Sequence, residues 1–440
     1  HPAPLISIHR GPMRHRSLLW LGALALAPAA ARAQDADARV AAEVQRLTPR
    51  ITEIRHDLHR NPELSNREVR TAGLVAAHLR ALGMEVRTGI AHTGVVGVLR
   101  GGRPGPVIAV RADMDALPVT EDTPYPFRSV AKGEYLGQQV GVAHACGHDV
   151  HTAVQMGVAT LLAGMRAELP GTVIFVFQPA EEGAPPGEEG GAALMLKEGL
   201  FADLRPQAVF GLHTLAQMEV GRVGYTPGPA MAASDRFIVT IRGRQSHGAS
   251  PQLAIDPVVM AAEAVTALQT IRSRTLSPME PGVITVGVIR GGERFNIIPD
   301  SVVLMGTVRT FSPAVQDRVE ERMRQILDGV TRAGGGSFTL QYQRTTPVTV
   351  NDSALAVRME PTLTRLLGAG NVVRLQPTTV AEDFAYYGRT APSFFYRLGT
   401  TAPGTTSGDH HTPTFMADDA SIPIGMRVMT GLLLDYLRGA

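Results

Sequence analysis

The residue types most able to do chemistry gather in four short stretches of this sequence. The first is His144-Ala-Cys146-Gly-His148-Asp149-Val-His151, which holds the only cysteine of the chain among three histidines. A thiolate and an imidazole two residues apart, just ahead of a helix start, can face one ion. Borderline divalent metals take both sulfur and nitrogen. A single His would more often be ordinary core, but three beside the only Cys fit a metal site better. Asp149 has two readings: it orients an imidazole, or it faces a helix N-terminal dipole. The second stretch is Glu181-Glu182, after an apolar run. Two adjacent carboxylates cannot both ionise cheaply in a dry site, so they need different jobs. One can bind metal while the other moves a proton. A solvated acidic turn is the plainer alternative, since Glu188 and Glu189 follow. The third is His213 at the end of an apolar strand, where a satisfied core histidine is the alternative. The fourth is His410-His411-Thr412-Pro413, after a Gly/Thr-rich loop that could equally be plain surface.

These residues need a scaffold that brings them to one edge. Apolar positions Val40, Val44, Leu47, Ile51, Ile54 and Leu58 recur at helical spacing over 38–60. A second helix is predicted over 70–83. Short apolar runs then alternate with helical patterns: strands at 94–99, 107–110, 172–177 and 208–212, helices at 149–169 and 192–198. That alternation predicts an α/β fold with a mostly parallel sheet. In such sheets, sites form outside the carboxyl ends of the strands. Near residue 229 the texture changes. A strand at 237–241, a helix at 256–272, strands at 283–289 and 302–309, a helix at 313–332 and a strand at 338–343 make a β-α-β-β-α-β, ferredoxin-like unit. After 345 the first texture returns, with a helix at 354–367, a strand at 394–398 and a helix at 422–437. The expected organisation is a metal-binding catalytic domain, 34–228 and 345–440, with a small domain, 229–344, inserted in it.

The composition is that of an ordinary globular chain: 44% hydrophobic and 19% charged over 440 residues. The formal charge of +2 includes four Arg, and no acid, in residues 1–33. Without them 38 basic residues face 40 acidic ones, a net −2. Neither that balance nor an aromatic content of 5% suits a nucleic-acid surface. Arg14 and Arg16, the apolar run Leu18–Ala30 and the small-x-small Ala31-Arg32-Ala33 read as a signal peptide over 13–33. Export to the periplasm or beyond, without stable membrane insertion after cleavage, is the expectation. An exported chain with one cysteine forms no internal disulfide, which leaves Cys146 for a metal or for an inert buried thiol.

The segments RADMDALPV, HACGHD, QPAEEG, GLHT, AEDFA and HTP occur in this order. Together they resemble the hippurate hydrolase and indole-acetyl-amino-acid amidohydrolase group. That group belongs to the aminoacylase–carboxypeptidase family of dinuclear metallopeptidases. The resemblance spans roughly residues 40–438. It implies metal-dependent hydrolysis of the amide bond of N-acyl amino acids, with two divalent ions per subunit; Cys146 permits zinc, nickel or cobalt, and the oxygen ligands also permit manganese. It implies Cys146, His148, Glu182, His213 and His411 as ligands and Glu181 as general base. It implies a lid and dimerisation role for the small domain, hence a homodimer. Within it, His247 (in Ser-His-Gly) would stabilise the oxyanion, and Asn296 and Arg309 would meet the substrate carboxylate. Asp113, Asp115, Asp149 and His151 would steady the ligands, as would Glu382 and Asp383 unless these form a buried ion-pair site. The loop 183–191 (GAPPGEEGG) departs from relatives that pass quickly from the Glu pair to Gly-Gly-Ala. A dipeptidase or carboxypeptidase would use the same metals. A metal- or solute-binding homologue without catalysis is the alternative outside the enzymes.

Overall fold

Ile108, Ala109 and Val110 form an unbroken apolar run, as a strand covered on both faces requires. In the computed structural model, which describes residues 23–439, this run belongs to the strand Arg103–Asp113. The segment 13–33 read as a signal peptide lies outside the residues whose side chains are described. Arg103–Asp113 pairs in parallel with Pro170–Gln178 on one side and Ala208–Glu219 on the other. Ser393–Thr401 adds a fourth parallel strand beyond Ala208–Glu219. Glu85–Ile90 and Gly94–Arg100 extend one side of this sheet antiparallel, and Val223–Tyr225 and Val372–Arg374 complete the other, for eight strands in all. Apolar clusters fill both faces. One contains Val154, Met426 and Leu432 from the helices His148–Gly164 and Ser421–Arg438; the other contains Met195 and Phe384.

The small unit is a four-stranded antiparallel sheet in the order Gly282–Arg290, Ser301–Thr310, Ala233–Arg242, Ser337–Thr346. The helices Pro257–Thr270 and Pro313–Ala333 pack on it through Leu268 and Met323 against Phe237 and Leu304. Each begins with proline at its first position behind a capping side chain. Asp256 accepts from Val258 N at 2.8 Å, and Ser312 from Val315 N at 3.2 Å.

Glu85–Ile90, Val223–Tyr225 and Val372–Arg374 are strands beyond those expected, and three further differences bear on the site or its surroundings. The first helix is Ala23–Arg60, longer than 38–60. The strand expected to end before His213 continues to Glu219. Its pairing with Arg103–Asp113 stops at Gly211, but Ser393–Thr401 carries it further. So His213 sits inside a strand, at a place where one neighbour has ended. Lys132–Tyr135 and Gln138–Gly141 form an unexpected hairpin, with Leu136 and Gly137 both at positive φ. Its strands, KGEY and QQVG, lack the apolar alternation that marks a strand.

Candidate metal centre

The centre assembles where the parallel strands end. Arg103–Asp113 delivers Asp113 and, two residues on, Asp115. Pro170–Gln178 leads into Glu181 and Glu182. The turn before the helix His148–Gly164 supplies Cys146. That turn depends on Gly147, at φ +88°, where a Cβ would stand 2.5 Å from Thr214 Oγ1. Thr214 needs the approach, because its hydroxyl donates to Cys146 O at 2.8 Å.

Donor atoms of Cys146, His148 and His213 lie within 4.8 Å of one another. So do those of Cys146, Glu182 and His411, and those of His148, Glu181 and Glu182. The histidine tautomers follow from their partners. His148 Nδ1 lies 2.9 Å from Asp115 O, a carbonyl that can only accept, so Nδ1 carries the proton. Its Nε2 is buried with no hydrogen-bond partner, 3.8 Å from Glu182 Oε1. His213 Nδ1 donates to Thr214 O at 2.7 Å, which turns Nε2 to Cys146 Sγ at 3.4 Å. His411 Nε2 is 3.1 Å from Glu182 Oε1, and its backbone is held at φ +67° by a bond to Ala145 O. His410 packs on Phe415 and against the His213 ring, and lines the same cavity.

His151 is already spent. Its Nε2 accepts from Thr214 N at 2.8 Å and its Nδ1 donates to Asp113 Oδ1 at 2.5 Å. Asp113 also binds Arg111 at 2.8 Å. Asp115 accepts from Ser65 at 2.8 Å and from Glu182 N at 3.0 Å. Asp149 has both of its suggested characters. It stands in the first helical turn, and it orients an imidazole, but that imidazole is His59 at 2.9 Å, shared with Arg55 at 2.8 Å. Glu382 and Asp383 both meet Arg111, at 2.9 and 3.0 Å, so they form a buried ion-pair site. Asp383 N also donates to Glu181 Oε1 at 3.3 Å, which ties that site to the centre.

Burial and the Glu182 and Glu181 charges push the Cys146 thiol well above its ordinary range. Burial, then Glu382 and Glu182, likewise push the Glu181 carboxyl up. Burial would depress His148, but Asp113 and Asp115 overcome it and raise it to about 10. The protein alone thus has too many acids in one dry place. An orphaned imidazole nitrogen, a thiol and converging carboxylates are the donor set a divalent cation fits.

A cavity of about 480 Å³ opens onto the centre, with Cys146, Glu181, Glu182, His213, His411 and Arg397 in its wall. His247, Asn296 and Arg309 are not in that wall. The small unit holds His247 and Asn296 side by side, with Gly248 N donating to Asn296 O at 2.8 Å. Arg309 is tied to Ser234 at 2.6 Å and Thr307 at 2.5 Å.

Residues 109–435 match the family described as peptidase family M20/M25/M40. The chain belongs to that family. Among M20 relatives, it is 38% identical to an N-acetyl-L-cysteine deacetylase of Bacillus subtilis over 86% of this chain and 85% of the relative. It is 35% identical to IAA-amino acid hydrolase ILR1-like 5 of Arabidopsis thaliana, over 87% and 86%. Among solved M20 structures, Bacillus subtilis YXEP, described as a dinuclear metal binding peptidase, superposes with a TM-score of 0.77. Identity there is 33%, covering 90% of this chain and all of that one. Five residues around this M20 centre were not read from the sequence: Ser65, Thr214, Arg55 and His59 behind it, and Arg397 in the cavity wall. Only Arg397 carried a signal, as the single charge in an apolar strand, SFFYRLGTT.

Proposed function

We propose that this protein hydrolyses the amide bond of N-acyl amino acids. The observation that carries the reading is the half-buried Glu181, beside two overlapping donor clusters at the mouth of a cavity. Cys146, His148, Glu182, His213 and His411 would hold two divalent ions, of zinc, manganese, nickel or cobalt. Bound there, the ions would supply Lewis acidity, polarising a carbonyl and lowering the pKa of water toward neutrality.

The rest of the work falls to the chain. Glu181, held by Asp383 N, takes the proton of the attacking water and passes it to the leaving nitrogen. Asp115 and Thr214 fix the faces that His148 and His213 present. The 229–344 unit acts as lid and dimerisation domain. His247, exposed on it, reaches the oxyanion from a second copy, with Asn296 and Arg309 toward the substrate. The relatives named for deacetylating N-acetyl-L-cysteine and for IAA-amino acids support an N-acyl amino acid as substrate. The segment 13–33 directs export and is removed.

The test is a panel. Protein stripped of metal and reloaded with each divalent ion is assayed on N-acetyl- and N-benzoyl-amino acids and on plain dipeptides. We expect hydrolysis of the acylated set. Activity confined to dipeptides, or to nothing, would overturn the reading.

A further inference from the structure

The strand Ser393–Thr401 is buried along its length except at Arg397, which is partly buried. Its register sets Arg397 beside His213 on the neighbouring strand. The side chain lines the cavity that opens onto Glu181 and Glu182. Among the described residues no carboxylate lies within ion-pair distance of it. Its contacts are Met231 Sδ at 3.1 Å and the Phe395 ring at 5.6 Å. The nearby acid Glu382 is already engaged by Arg111. A guanidinium held in a pocket with no carboxylate paired to it carries a desolvation cost that folding does not fully repay. An apolar residue would serve the strand better. Arg309, the small unit's candidate, bonds Ser234 and Thr307 within its own unit and does not line this cavity, so Arg397 is the guanidinium the cavity itself offers.

We infer that Arg397 is a specificity-determining residue that pairs with a carboxylate of the substrate inside this cavity. The inference rests on the amide-hydrolase reading. A planar guanidinium matches a carboxylate through two parallel hydrogen bonds, and Met231 and Leu375 in the cavity wall supply an apolar flank. The carboxylate has two sources: the α-carboxylate of the amino acid, or one on the acyl group.

The test compares N-benzoylglycine, N-benzoylglycinamide and N-succinylglycinamide on metal-loaded wild type, Arg397→Gln and Arg397→Lys. The first carries only the α-carboxylate, the second none, and the third only an acyl carboxylate. We expect Arg397→Gln to lower kcat/KM about 10–100-fold, mostly through KM, on one charged substrate, as loss of one charged pair would. Whichever it is names the source. N-Benzoylglycinamide should change less than about two-fold, and Arg397→Lys should recover part of the loss. An equal loss on charged and uncharged substrates, or no loss, would overturn the inference. If wild type cleaves none of the three, the amide-hydrolase reading fails. Calorimetric binding of N-benzoylglycine and succinate to wild type and Arg397→Gln then decides Arg397 alone: weaker binding of either to the variant supports it, unchanged binding sinks it.

Discussion

Single side chains set the chemistry here through what holds them. Asp115 touches His148 through its carbonyl and carboxylate, and takes bonds from Ser65 and the Glu182 backbone. Asp115→Asn should therefore weaken metal binding about 10–100-fold while leaving every proposed ligand in place. Competition against a chromophoric chelator measures it; an unchanged affinity would mean the tautomer is set by the carbonyl alone. Gly147→Ala should be worse. It forces φ +88° on an alanine and drives its Cβ into Thr214. We expect metal occupancy to fall and stability to drop by about 1–3 kcal/mol, read by metal analysis and denaturant unfolding. Cys146, His148 and Glu181-Glu182 were legible as chemistry because their types are unusual and close in sequence. Ser65 and Thr214 were not, because a hydroxyl has no signature until its partner across the fold is known.

At the scale of elements, the first helix anchors the centre from below. Its Arg55 and His59 grip Asp149, one residue past His148, and His59 also meets Glu121 at 3.0 Å. Burial opposes the charge on His59, but Asp149 and Glu121 outweigh it and raise its pKa above 6.5. A raised pKa fixes the sign. The stabilisation is complete below about pH 6.5, the unfolded value, and is lost as pH rises through the folded one. The fall in thermal stability above pH 6.5 should be shallower in His59→Gln than in wild type; equal slopes would contradict a charged His59. The helix itself was legible from its apolar spacing, but not what its polar face grips, since Asp149 lies 90 residues on. The core strands were legible as apolar runs. The hairpin 132–141 was not, because its strands are polar and its turn places a leucine at positive φ. The length of the strand through His213 also escaped the sequence, since it depends on Ser393–Thr401 continuing beside it.

At the scale of the whole molecule, a β-α-β-β-α-β unit is inserted into an α/β sheet. Both halves of this pattern were readable, because short apolar runs and a helical period differ along the chain. How the unit meets the centre was not, since His247, Asn296 and Arg309 stand away from the cavity wall. If a second copy brings His247 to the centre, mixing inactive Glu181→Gln with inactive His247→Ala should restore activity through sites that pair a sound Glu181 with a sound His247. No recovery from mixed dimers would place the oxyanion support elsewhere. The most direct measurement of the central claim pairs metal content with turnover of one N-acyl amino acid. We expect wild type and Glu181→Gln to bind two divalent ions alike, and the variant's kcat to fall by about 10²–10⁴-fold. A Glu181→Gln protein that holds its metal and hydrolyses at the wild-type rate would contradict it.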